Sequence, residues 1–212
     1  MRSGRVRERF TGRIAGIGST SGVRVVVGRW DDSPWGSFAD VMVEDASGHR
    51  VLLAPDERVR EFVAATYTFD EQVIEPVAVE DAGDGWQVAT PSLSLRLSVG
   101  GRTPLGALLG LVPARVSTAP AWCGAIDPVA RVVMRGVRTR GTAGGDRREW
   151  YGATSVAAIT SVAGEWRGTD LGSLAPVDPP CRFGFSSTPR RPSVTSVVTT
   201  VERSTSGGSR QQ

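Results

Sequence analysis

A chain of 212 residues, 40% hydrophobic and 22% charged with a formal net charge of only +3, suits one soluble globular domain whose core is large enough to fold without staples. All 25 basic residues are arginine and His49 is the single histidine, so Schiff-base and PLP chemistry and lysine-bearing phosphate loops are excluded, and a triad or zinc site would rest on one imidazole. The arginine bias fits a GC-rich genome, and the high isoelectric point follows from arginine's own pKa more than from a basic surface.

In chain order, residues 1–9 carry Arg2, Arg5, Arg7 and Arg9 but lead into no apolar run, so they read as a basic, partly flexible arm and not as a signal peptide. A single β-rich domain is expected over residues 10–202. Residues 23–30, rich in valine, form the strongest early strand. Residues 38–44 and 49–53 flank Asp45-Ala46-Ser47-Gly48, whose turn chemistry predicts a hairpin. A helix follows from Pro55-Asp56, because Val59, Phe62, Val63 and Thr66 recur at helical spacing, and it ends near Tyr67.

Strands then resume over residues 73–80, 86–89 and 93–99, the first two joined by a turn at 81–85. From Leu93 to Val99 apolar and polar residues alternate strictly, so one face is buried. Residues 104–112 place Leu105, Leu108, Leu109 and Val112 on one helical stripe, which is either core or a lid across a barrel mouth. Residues 129–140 and 148–156 predict a long hairpin around 141–146, and 193–201 a final strand. Residues 203–212, polar and rich in glycine and serine, predict a disordered tail.

About ten strands and two short helices at hairpin spacing, without βαβ alternation, predict a mainly β (α+β) fold: an antiparallel β-barrel, closed or nearly closed. The longest apolar stretch, residues 105–113, is too short for a bilayer and is broken by Gly106 and Gly110, so a cytoplasmic protein without a membrane partner is expected. Cys123 and Cys181, 58 residues apart and without CxxC spacing, read as buried free thiols, with a disulfide or a catalytic thiol as alternatives.

The richest chemistry lies in Trp30-Asp31-Asp32-Ser33-Pro34-Trp35-Gly36-Ser37-Phe38-Ala39-Asp40. Acids beside tryptophans can ligate a cation or, when desolvated, serve as a general acid or base; Asp32 and Asp40 are the catalytic candidates. The alternative is a surface turn whose tryptophans cover the barrel end. His49 would need Asp45 or Glu44 to orient it as a base, and otherwise is an exposed hairpin histidine. Arg131, Arg135, Arg138, Arg140, Arg147 and Arg148 face only Asp146 and Glu149 as local acids. They could grip a carboxylate or phosphate bidentately, follow a nucleic-acid backbone, or do lysine's work as solvated surface. Glu149-Trp150-Tyr151-Gly152 and Arg182-Phe183-Gly184-Phe185 alternate as cavity-lining strands do, and core packing explains them equally well.

The run Ser33-Pro34-Trp35-Gly36-Ser37-Phe38-Ala39-Asp40-Val41-Met42-Val43, a turn leading into an apolar strand with an acid inside it, resembles the corresponding segment of acetoacetate-decarboxylase-like proteins. The resemblance implies a β-rich fold with an internal cavity and a strand carboxylate at Asp40. It also implies a departure, since that family's decarboxylases use a lysine Schiff base and this chain has no lysine.

The leading expectation is a protein that binds a small, partly apolar, anionic molecule in a barrel cavity. Trp35, Trp150 and Tyr151 would line the cavity, and Arg131, Arg138 or Arg140 would fix the anionic end. The alternatives are a carboxylate-dependent, Schiff-base-free enzyme built on Asp40 or Asp32, and an arginine-rich nucleic-acid surface recognisable by steep salt dependence. No cofactor and no metal site are called for.

Overall fold

The structure, a computed structural model, describes residues 4–117, 119, 140–143, 147–184 and 187–205. Its main ladder contains β1 (Gly4–Ser19), β2 (Arg24–Asp32), β3 (Phe38–Glu44), β4 (Arg50–Ala54), β5 (Glu71–Ile74), β6 (Ala78–Ala82), β7 (Gly85–Ala89), β8 (Leu93–Arg102), β10 (Arg147–Trp166) and β13 (Ser193–Thr205). Three short strands, β9 (Arg140–Ala143), β11 (Thr169–Asp170) and β12 (Leu174–Ala175), pair at its flanks. The helices are α1 (Glu57–Ala64), α2 (Pro104–Gly110) and the single turn α3 (Ala114–Ser117).

The ladder runs β5-β4-β3-β2-β1-β13-β10-β8-β7-β6. Its neighbours are antiparallel except β4 and β5, which run parallel because α1 carries the chain back between them as a crossover. The expected purely antiparallel sheet is therefore mixed. Nor does it close: β5 and β6 end opposite sides of the ladder and are not paired, so the sheet is an open, curled half-barrel. The expected strand over 73–80 is split for a related reason. Pro76 has no amide to give a ladder, and the chain crosses between edges where one continuous strand was predicted.

Curling brings the two ends of the ladder together over one apolar cluster. Val25, Val27, Val41, Val43, Val51 and Leu53 from one end pack with Trp86, Val88, Leu93, Leu95 and Leu97 from the other. The strict alternation in β8 sends its three leucines into this cluster. The inside of the half-barrel is thus occupied by this apolar cluster. Arg13 and Arg29 lie over the Trp86 ring at 5.3 and 5.8 Å, and Arg29 reaches Asp81 of β6 at 2.7 Å, bridging the curl.

Alternate residues of β1, β2 and β3 face the other way. Ile14, Val26 and Met42 meet Val177, Cys181 and Phe183, while Leu52, Ala54, Val59 and Val63 seat α1. β1 and β13 pair from Gly4 with Thr205 to Gly16 with Ser193, so ladder extends into both stretches read from sequence as arm and tail. Residues 206–212 lie outside those described.

α2 docks on the same face. Thr103 caps it, accepting from the Gly106 amide at 3.0 Å, and the Thr103 amide donates to the Val156 carbonyl at 2.9 Å. A Cβ on Gly106 would lie 2.1 Å from the Val156 oxygen, a backbone atom with nowhere to go. Gly106→Ala is expected to lift α2 from β10 and cost about 1–3 kcal/mol, read as a lower urea midpoint. Gly101→Ala, with open space around its Cβ, should cost well under that.

Candidate functional site

The outward face of β3, β2, β1, β13 and β10 is the floor of a cavity of about 180 Å³. Strand register fixes the floor as rows. One row is Met42, Val26, Gly16 and Ser193; the next is Asp40, Gly28, Ile14, Thr195 and Val156; the third is Phe38, Trp30, Gly12, Val197 and Ala153. Phe10, Thr199 and Tyr151 form a fourth. Residues directly opposite on paired strands share a face, so a single acid stands in an otherwise apolar and hydroxyl-bearing floor. The roof comes from α1 and the turn after it (Phe62, Val63, Tyr67), from α2 (Leu105, Leu109), and from Cys181, Phe183 and Thr188.

Asp40 is 4% exposed. Its Oδ1 accepts from Trp30 Nε1 at 2.9 Å, its one hydrogen bond among the described residues. Gly28 makes that bond possible, since a Cβ there would lie 2.5 Å from Asp40 Oδ1 and 2.8 Å from Trp30 Nε1. Burial raises the Asp40 pKa from its ordinary 3.8 to about 6, and the tryptophan hydrogen bond holds back part of the rise.

Aromatic rings surround this end of the cavity. Phe10 lies 4.7 Å from Phe62 and 6.0 Å from Trp30, and Trp30 lies 6.2 Å from Phe38, centroid to centroid. At the other end the Tyr67 and Tyr151 hydroxyls meet at 2.6 Å. Buried hydroxyl oxygens of Thr188, Ser193 and Thr199, all cavity residues, have no hydrogen-bond partner among the described residues. Such groups are costly to bury unsatisfied, and here they border open volume. Cys181 is a free thiol, and burial, followed by the charge of Glu44, pushes its pKa up to about 12, which leaves it a poor nucleophile.

Of the residues singled out from sequence, Asp40 and Tyr151 line the cavity, and so do Trp30, Phe38, Cys181 and Phe183. Trp35 does not; it stands behind the wall, 5.4 Å from Phe10 and 4.8 Å from Phe62. Trp150 is buried on the opposite face of β10, as strand alternation next to Tyr151 requires. Asp32 is exposed at the end of β2. Arg140 belongs to β9, which pairs with β10, and Arg148 is exposed. Arg131, Arg138 and Cys123 lie outside the described residues, and with them most of the hairpin on which the anion and nucleic-acid readings rest. His49 sits exposed, 3.3 Å from Glu71 and away from the cavity. Of the stripe read as core or lid, Leu105 and Leu109 border the cavity, whereas Leu108 is 62% exposed.

Sequence reasoning missed Trp30 as the partner of Asp40, and Phe10, Phe62 and Tyr67 as wall residues. The signal for Trp30 was available: ten residues separate it from Asp40 across a tight hairpin, which puts both on one face of two paired strands. Phe10 and Tyr67 carry no such local mark. Among the described residues no three histidine, cysteine or acidic side chains gather as a metal site would require, and no helix is long and apolar enough to cross a membrane.

No family model matches the chain, and no curated protein matches it. Among solved structures, the acetoacetate decarboxylase of Legionella pneumophila corresponds at a TM-score of 0.40 with 8% identity, over 94% of this chain and 84% of the other. A second structure described as acetoacetate decarboxylase corresponds at 0.37, also with 8% identity, over 97% and 90%. Likeness at this level carries no chemistry from those proteins to this one.

Proposed function

We propose that this protein binds a small, mostly apolar molecule in the cavity between the sheet and its helices, with Asp40 as the polar contact. The observation that carries the reading is a buried carboxyl, one hydrogen bond satisfied, bordering a void of about 180 Å³ with aromatic and aliphatic walls. An apolar void of about 150 Å³ accepts a benzene-sized guest, so a ligand on the order of ten non-hydrogen atoms suits this one. The described lining supplies an acid and hydroxyls, which supports recognition centred on Asp40.

Native mass spectrometry of freshly purified protein tests the reading. A non-covalent adduct of small mass is expected, lost under denaturing conditions and diminished in Ala153→Phe, which fills the floor. Bare protein, with no adduct recovered on incubation with ten-atom aromatic probes, would refute it.

A second reading, a carboxylate-dependent enzyme, is favoured by one observation: a carboxyl with a pKa of about 6 exchanges protons near neutrality. It expects the retained molecule to be converted by wild-type protein and to persist unchanged on Asp40→Asn.

A further inference from the structure

We propose that the cavity is built for a hydrophobic organic cation, an arylalkyl or alkyl ammonium whose nitrogen meets Asp40 and whose apolar part lies against Phe10, Trp30, Phe38 and Phe62. This rests on the cavity-binding reading above and names the class of ligand.

Asp40 is nearly fully buried, yet one indole N–H is its only donor among the described residues. Carboxylates that remain ionised in such surroundings are normally paired with a cation. Nothing described in the lining supplies one. The titratable groups facing the cavity from the other described elements include no cation: they are the Tyr67 and Tyr151 hydroxyls and the Cys181 thiol, whose pKa burial pushes up to about 12. A guest bearing the missing charge would therefore complete the site.

The walls favour the same guest. Aromatic faces carry negative quadrupole density and attract ammonium groups within about 6 Å of the ring centre. Four such rings, those of Phe10, Trp30, Phe38 and Phe62, line the cavity around or beside the acid. An anionic guest would set a second negative charge against Asp40 and the ring faces. An alcohol would supply one hydrogen bond and leave the charge in place. The buried hydroxyls of Ser193 and Thr199, at the ends of the floor, are free to meet a further polar atom on the guest's apolar part.

Linkage gives this proposal a signature. An ammonium binds the ionised form of Asp40, so affinity is full well above pH 6 and falls about tenfold on descending to pH 5. A carboxylic acid would show the reverse.

The test uses full-length protein and three near-isosteric probes, 3-phenylpropylamine, 3-phenylpropan-1-ol and 3-phenylpropanoate, titrated calorimetrically at pH 7.5 and pH 5. Expected is at least tenfold tighter binding of the amine than of the alcohol at pH 7.5, no measurable binding of the acid there, and loss of the amine's preference at pH 5. Asp40→Asn should bind amine and alcohol alike at both values; the wild-type pH profile stands without it if the variant fails to fold. Equal binding of amine and alcohol, or preference for the acid, overturns the cation assignment while the cavity reading survives. Absence of binding by all three overturns both.

Discussion

Glu44→Gln is expected to lower the unfolding free energy by about 3–5 kcal/mol. Glu44 is fully buried at the end of β3, opposite Arg24 of β2. Arg24 Nη2 approaches its Oε1 at 3.1 Å, Arg182 Nε approaches the same oxygen at 3.0 Å, and the Arg182 amide donates to Oε2 at 2.8 Å. Arg24 is itself only 6% exposed and its Nε has no partner among the described residues. Glutamine preserves shape and removes charge, so the Arg24 guanidinium stays buried with neutral acceptors alone among the described residues: the amide oxygen of the new side chain and the carbonyls of Pro179 and Asp45, at 3.3 and 3.4 Å. Urea unfolding at pH 7.5 reads the change, with the exposed Glu80→Gln as a control expected to move by less than about 0.5 kcal/mol. The paired replacement Arg24→Met with Glu44→Leu should recover most of the loss, because it removes both buried charges together. A Glu44→Gln variant within 1 kcal/mol of wild type would mean that water reaches this corner. The same contacts tether Arg182 between the cavity residues Cys181 and Phe183, so Glu44→Gln should also weaken any cavity ligand.

The second large effect has the opposite sign. Asp40→Asn is expected to stabilise the ligand-free protein by about 2 kcal/mol at pH 7.5. The folded-state pKa of Asp40 is raised from 3.8 to about 6, chiefly by burial. Between those values the folded protein holds a proton that the unfolded chain has released. Wild-type stability therefore gains from Asp40 as pH falls through 6, levels off below about 4, and carries the full deficit above 6. That deficit is about 3 kcal/mol at roughly 1.4 kcal/mol per pH unit, and part of it is offset in the variant by an amide N–H₂ set in an apolar wall. Several exposed acids have lowered pKa values and act the other way, Glu71 through Arg167 and Asp81 through Arg29, but they are common to both proteins. The difference between variant and wild type isolates Asp40. It should be largest above pH 7 and shrink by about 3 kcal/mol on the way to pH 4; a difference independent of pH would show that the carboxyl is solvated.

Much of the fold was legible where composition and geometry agree. The β3–β4 hairpin follows from Asp45 and Gly48, and the structure shows Asp45 Oδ1 accepting from the Ser47 and His49 amides. α1 begins at the predicted cap, Asp56, whose carboxylate accepts from Val59. β8 alternates as read. β1 was missed because Gly12, Gly16 and Gly18 interrupt any strand pattern, and their reason is tertiary: a Cβ on Gly16 would lie 2.4 Å from Thr188, and one on Gly18 2.3 Å from the Pro176 carbonyl. The second half of β10 was missed likewise, since its alanines and Gly164 carry little strand propensity and the pairing with β8 decides their conformation. At the site, Asp40 was legible as an acid beside tryptophans within a strand. Its surroundings were not, because Phe10, Phe62, Tyr67 and Tyr151 converge from β1, α1, the turn after α1 and β10.

The position of β1 bears on how the chain reaches this state. Its partner β13 begins more than 170 residues later, and both lie mid-ladder, with Gly16 opposite Ser193. Loop closure over that span must precede the contacts that reward it, which is the situation of high contact order and slow folding. At 5–20 residues per second, translation leaves β1 without this neighbour for on the order of ten seconds or more. Throughout that interval the nascent polypeptide shows a glycine-rich, half-satisfied strand edge to the cell, so recovery of soluble material should depend on holdase chaperones more than on the stability of the finished molecule.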